Sequence, residues 1–340
     1  MDIKDLVGLS EPLTRLIEVI SKGVGEVTAP YLTRKNADAK AYEIRVIGNS
    51  LNEVARQNHL PIVYKDGSVE VSLNPEDQTL SLEPKALDDR SNRRLDYQAR
   101  KGQANIESVT TTAAIELATE ESISPESPDD DWVTRFFKFA QDVSSEEMQD
   151  LWGRILAGEI RRPGTFSLRT LDFVRNLTRA EAQLMERVGK LALSFSGAYF
   201  VSAHDKKWLE TDRGIHQSIH FELAELDLMF PTELAVRVFR DGVEKEHFLS
   251  GDRILIVERG EIKSEIQLKC WKFTAIGAEL LPLVPPQTDD LYLENLGHFF
   301  IRSKAKAYLA DITSRNSDGS VGYNIVREIN IPDSTQKPAT

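Results

Sequence analysis

The sequence predicts a mainly α protein with α+β character: N-terminal amphipathic helices and a β-hairpin, a central helical bundle, and a mixed C-terminal module of winged-helix-like order. Three observations predict it. Apolar residues recur at helical spacing from Leu13 to Val27 and again from Trp132 to Leu191. An Asp66-Gly67 pair separates two short β-rich runs. Beyond Phe195 strand-like and helical pieces alternate. The expected divisions are residues 1–84, 85–192 and 193–340, the last ending in a disordered tail.

Ser10 is placed to cap a first helix, with Glu11 and Pro12 in its first turn. Leu13, Leu16, Ile17, Ile20, Val24 and Val27 form its apolar face, and Glu11, Arg15, Glu18, Lys22 and Glu26 the opposite one. Gly23 and Gly25 interrupt it and Pro30 closes it. A second helix carries Ala37, Ala41, Ile44, Ile47, Leu51 and Val54 on one side. Residues 62–73 read as the hairpin.

No proline interrupts residues 86–119, which read as one helix. Arg90, Arg93, Arg94, Arg100 and Lys101 make its first half basic; Ile106, Val109, Ala113 and Leu117 give its second half a narrow apolar stripe. The acidic, proline-containing stretch 120–131 reads as an exposed linker. In the bundle, Trp132, Phe136, Phe139, Ala140 and Val143 share a face behind a cap at Asp130 or Asp131. Ser144 and Glu147 are spaced as a capping box ahead of Met148, Leu151, Trp152, Ile155 and Leu156. Pro163-Gly164 breaks the chain, Ser167 caps a short helix, and Thr178 with Glu181 forms another box. Further on, 253–257 and 266–273 read as two strands joined around Arg259-Gly260, followed by a short helix from Thr274, a helix around Leu291 and a last strand from Val321.

Composition restricts the function classes. The 340 residues suffice for two domains, and 41% apolar with 28% charged residues is ordinary for a globular protein. A net charge of −12 argues against polyanion binding by bulk electrostatics, leaving local basic patches. The single cysteine, Cys270, lies in an apolar strand-like run and reads as a buried thiol, excluding a disulfide framework. The N-terminal stretch lacks a signal-peptide pattern and no run reaches membrane-span length, so the expected location is the cytoplasm, with the inner-membrane surface as a peripheral site.

No catalytic, cofactor or metal site is read from the sequence. His216 and His220 are four apart, a spacing that suits two metal ligands, but no third ligand is recognisable and a packed or surface pair is the better reading. The Gly23-Val24-Gly25 and Gly153–Gly158 patterns lack a phosphate-loop lysine. Asp129 to Asp131 suit the positive end of the helix that follows. Glu159, amid Arg154, Arg161 and Arg162, reads as an ion-pair partner that sets the Pro163 turn.

Binding surfaces are the stronger candidates. Leu13, Leu16, Ile17, Ile20 and Val24 form a face for the core, a partner subunit or a membrane; both charge signs on the polar side favour core or subunit. Arg93, Arg94, Arg100, Lys101, Arg161 and Arg162 are the candidates for nucleic-acid contact, with acids such as Asp96 and Glu159 interleaved.

Two resemblances add to this reading. Asn105-Ile106-Glu107, Asp131-Trp132, Leu151–Glu159, Pro163-Gly164, Ser167–Leu171 and Phe273–Leu280 together resemble an uncharacterised bacterial family built on a domain of unknown function, over roughly residues 90–285. Gly8–Leu13 and Ile17–Gly25 resemble the start of Abi-alpha-like proteins, linked to abortive infection. That second resemblance implies a non-enzymatic phage-defence protein acting by self-association and by engaging a protein partner or the membrane. The alternative expectation is a nucleic-acid-binding or regulatory protein using the winged-helix-like region and the arginine-rich helices.

Overall fold

The computed structural model describes residues 10–24, 62–65, 68–71, 87–120, 122–285, 287–315 and 320–331. The chain divides into two compact units, Met1–Gly164 and Thr165–Thr340. The expected second helix at 37–54 and the tail beyond 331 lie outside the described residues.

Among the described residues the first unit has four helices: α1 (Glu11–Val24), α2 (Leu87–Leu117), α3 (Asp130–Ala140) and α4 (Glu146–Arg161). The hairpin forms as β1 (Ile62–Lys65) and β2 (Ser68–Val71), antiparallel with Lys65 opposite Ser68. Every residue of the expected α2 stripe is buried: Ile106, Val109, Ala113 and Leu117. They pack against α4, while α3 supplies an aromatic layer in which Trp132 stacks on Phe136 at 5.1 Å and Phe136 meets Trp152 at 5.2 Å. Each large apolar side chain buried here contributes roughly 1.5–3 kcal/mol relative to exposure. Two caps differ from expectation. Asp129 caps α3, its carboxylate accepting from Trp132 N–H at 3.0 Å, and α4 starts after Ser145 without a side-chain cap. Three consecutive aspartates and two consecutive serines each offer the same chemistry one residue apart, so composition does not fix which one caps.

The second unit places α5 (Leu168–Asn176) and α6 (Arg179–Gly189) ahead of a sheet, with α7 (Lys206–Arg213), α8 (Gln217–Glu225), α9 (Ala275–Leu280) and α10 (Asp290–Arg302) around it. Ser167 caps α5, Thr178 and Glu181 complete the expected capping box of α6, and Thr274 caps α9. The strands are β3 (Leu193–Phe195), β4 (Ala198–Ser202), β5 (Leu234–Val238), β6 (Lys245–Ser250), β7 (Arg253–Glu258), β8 (Ile266–Lys272), β9 (Lys306–Arg315) and β10 (Val321–Glu328). Their order is β10-β9-β7-β6-β3-β4-β8-β5 and each pairing is antiparallel. Ser196 and Gly197, both with positive φ, turn β3 into β4 as a two-residue hairpin, a geometry that glycine supplies without strain. Phe195 stacks on Phe248 at 4.6 Å, and Phe300 of α10 closes over Phe248 at 5.5 Å.

The mixed α+β character holds, but the strand pair joined around Arg259-Gly260 does not. β7 pairs with β6 and β9, and β8 pairs with β4 and β5. The cause lies in burial. Ile254, Leu255, Ile256 and Val257 are all buried, so β7 needs both edges paired and both faces covered, which a two-stranded wing cannot provide.

Candidate nucleic-acid interface

Residues 105–117 of α2 are fixed in the first unit. Asn105 donates to the Gln141 carbonyl at 2.7 Å and accepts from Gln149 at 3.1 Å; Thr112 donates to Asp150 at 3.0 Å. Ahead of Gly102, which still faces Gln141, the helix leaves this packing. Arg90 and every residue from Asn92 to Lys101 are exposed, including Leu95 at 54% and Tyr97 at 68%.

Helix phase sorts these residues. At about 100° per residue, Arg90, Arg93, Arg94, Tyr97, Arg100 and Lys101 fall within a stripe about 120° wide. Asp96, the acid between Arg90 and Lys101, lies about 100° from the stripe's centre, beside the border that Arg93 and Arg100 form and away from the Arg94 and Lys101 border. The buried set Ile106, Val109, Ala113 and Leu117 centres about 165° away, which directs the basic stripe outward from the core. The phase of one uninterrupted helix was the signal in the sequence that could have found this stripe.

Arg161 and Arg162 are not part of it. Arg161 pairs with Glu120 at 2.7 Å, beyond the far end of α2, and about 24 Å of helix axis separate Lys101 from Leu117. Glu159, 2% exposed, accepts the Gly164 N–H at 2.6 Å and so holds the turn through the backbone.

The first-helix candidates are placed mostly inside the first unit. Leu16, Ile17 and Ile20 are buried, Leu13 is half-buried and Val24 is 38% exposed. α1 packs on α3 so closely that a methyl group at Gly23 would stand 2.5 Å from Phe137 Cε2. Arg15 bonds Ser127 and Lys22 pairs with Asp130 at 3.1 Å, further tying α1 down.

The histidine pair separates. His216 is exposed beside Glu210 at 3.2 Å. His220 is buried, stacked on Trp271 at 4.9 Å, with Nε2 2.9 Å from the Phe230 carbonyl. Burial holds its imidazole below the ordinary range. Among the described residues no group of three or more His, Cys, Asp or Glu is placed to hold a metal ion. Cys270 is buried and its thiol is pushed up to about 11 by desolvation.

One pairing has the look of catalysis and was not legible in the sequence. Ser202 Oγ lies 2.8 Å from His204 Nδ1. Ser202 is 1% exposed, its N–H donates to the Tyr292 hydroxyl at 2.7 Å, and Phe299 lies against the His204 ring at 5.0 Å. With Ser202 buried, the pair joins β4 to α10. A cleft of about 490 Å³ in the second unit is lined by Lys190, Tyr199, Asp252, Gln287 and Arg315 over Leu249, Leu281 and Val284. Its cations are engaged locally, Lys190 by Glu186 at 2.7 Å and Arg315 by the Gly251 carbonyl at 2.5 Å.

Residues 89–297 match the model of a family described as "Protein of unknown function (DUF2806)". The chain belongs to the DUF2806 family. The match begins one residue before Arg90 and so includes the whole basic stripe, while α1, the hairpin and β9–β10 fall outside it. No curated protein and no solved structure matches the chain. Among the described residues no helix is long and apolar enough to cross a membrane.

Proposed function

We propose that this DUF2806 chain is a non-enzymatic binding protein of antiviral-defence type whose partner is nucleic acid, held on the exposed basic stripe of α2. The observation that carries the reading is the stripe itself: Arg90, Arg93, Arg94, Arg100 and Lys101 around Tyr97, with Asp96 outside it, on a helix segment that leaves its own core. Arginine forks and a lysine aligned on one face meet successive phosphates, and an exposed tyrosine adds a surface for a base or sugar. The defence setting rests on the Abi-alpha-like start of the chain. The face of Leu16, Ile17 and Ile20, expected to serve the core, a partner subunit or a membrane, is occupied by the chain's own residues, which favours α2 as the contact surface.

Fluorescence anisotropy of the full chain with a labelled duplex, repeated across salt concentrations, tests this. Four phosphate contacts from Arg93, Arg94, Arg100 and Lys101 give a slope of roughly −3.6 in log K against log salt. Arg94→Ala should reduce the slope by about one. Binding that is absent, or that survives Arg93→Glu with Arg100→Glu undiminished, refutes the reading. So does capture by vesicles containing anionic lipid without capture of nucleic acid. Phage plating on cells carrying the intact gene beside the Arg93→Glu, Arg100→Glu form tests the defence setting, where equal protection would separate it from nucleic-acid binding.

A further inference from the structure

We infer that the exposed half of α2 is a recognition helix that enters the major groove of B-form duplex DNA. The inference rests on the nucleic-acid reading above and adds which nucleic acid is bound and how. First comes clearance. Arg90 and residues 92–101 are exposed, leaving about 18 Å of helix that a groove can surround on its outward side. A helix is about 10–12 Å across and the B-DNA major groove about 12 Å wide.

The second observation is the arrangement of charge within the stripe. Arg93 and Arg100 lie on one border, Arg94 and Lys101 on the other, the two borders about 100° apart, with Tyr97 and Arg90 along the middle. Two parallel cationic borders fit the two phosphate backbones that flank a groove, while the middle residues face the base edges. A single strand offers one backbone and is held by a succession of aromatic platforms; between Arg90 and Lys101 the only aromatic residue is Tyr97. Duplex RNA offers two backbones, but its major groove is too deep and narrow to admit a helix. The duplex that matches both the clearance and the double border is DNA.

The test uses the full chain with three labelled probes of one sequence: a 20-base-pair DNA duplex, its RNA duplex counterpart and one DNA strand. The expected result is DNA-duplex affinity at least tenfold above that of either other probe. It should fall at least threefold when guanine N7, which faces the major groove, is methylated. Tyr97→Ala should lower it several-fold with an unchanged far-ultraviolet circular dichroism spectrum, since Tyr97 is exposed. A preference below tenfold, or indifference to N7 methylation, overturns groove entry and leaves the phosphate-binding reading intact provided the steep salt slope remains. No binding to any probe overturns both.

Discussion

Alanine is a better helix former than glycine by about 1 kcal/mol, so Gly153→Ala in the interior of α4 would stabilise an isolated helix. The structure predicts the opposite sign. A methyl group at Gly153 would stand 2.7 Å from Thr112 Cγ2 and 2.8 Å from the Val109 carbonyl oxygen, where ordinary carbon contacts begin near 3.5 Å. Rotating Thr112 breaks its bond to Asp150, and the Val109 oxygen belongs to the α2 backbone and cannot rotate away. The helices must therefore separate by about 0.5–1 Å, a gap that forfeits a quarter to a half of each dispersion contact across the Ile106, Val109, Ala113 and Trp152 interface. Overpacking of this kind costs about 1–3 kcal/mol. With rigid backbone on one side the upper end applies, and after the propensity gain the net loss is about 2 kcal/mol. Gly102→Ala is the control. It lies in α2, and a methyl group there would meet Gln141 Cβ at 3.4 Å, the near edge of van der Waals contact and far looser than at Gly153, so propensity should dominate and stability should rise by up to about 1 kcal/mol. Urea unfolding of the full chain, followed by tryptophan fluorescence and fitted separately for each transition, reads both changes. Equal or raised stability of Gly153→Ala would refute the close α2–α4 packing.

Trp152→Ala should cost on the order of 3–5 kcal/mol, because the ring is fully buried between Phe136 and Phe139; an unchanged urea midpoint would contradict that core. Glu279→Ala should lower the stability of the second unit by about 1–3 kcal/mol, since Glu279 accepts both the Ser167 N–H and the Thr170 hydroxyl at 2.6 Å; thermal melts of Glu279→Ala and Glu279→Gln should rank with the alanine form lower. Burial holds the imidazoles of His204, His220 and His247 below their ordinary range, so the unfolded chain binds more protons in acid. Stability should therefore decline as pH falls below about 6.5, and His220→Phe should show a shallower decline between pH 7 and 5 in urea titrations; identical slopes would exclude His220 as a contributor.

What the sequence disclosed was what local chemistry decides. Thr178 and Glu181 form their capping box because both partners lie within one turn. The α2 stripe of Ile106, Val109, Ala113 and Leu117 was legible because one uninterrupted helix repeats every 3.6 residues. Strand pairing was not legible. Nothing local in Arg253–Glu258 says that its neighbours are β6 and β9, the latter about fifty residues on. Ser196-Gly197 did carry a turn signal for the β3–β4 hairpin. At the candidate site the cations are visible one by one in the sequence, and helix phase gathers them on one face with Asp96 at its edge beside Arg93 and Arg100. The buried fate of Leu16, Ile17 and Ile20 depended on Phe137 and α3, more than a hundred residues away.

The net charge of −12 weighs less against a DNA-binding stripe than its sign suggests. A remote acid about 20 Å from a phosphate repels it in water by about 0.2 kcal/mol before screening. Without its four contacting cations the chain carries a net −16, four more negative than the whole, so the remainder opposes binding by about 3.3 kcal/mol. At physiological ionic strength the Debye length is about 8 Å, which cuts that sum to about 0.3 kcal/mol. An arginine in contact with a phosphate near the protein surface gains on the order of 4 kcal/mol of Coulomb energy before desolvation, and four such contacts dominate. At about 0.01 M salt the Debye length grows to about 30 Å and half of the remote repulsion returns, just as counterion release makes each contact stronger. The two trends oppose each other only at low salt. The plot of log K against log salt should thus be steep near 0.1–0.2 M and flatten toward 0.01 M, whereas a uniformly basic protein keeps a constant slope. A straight line over the whole range would mean that the acidic remainder of the chain stands too far from the bound duplex to matter.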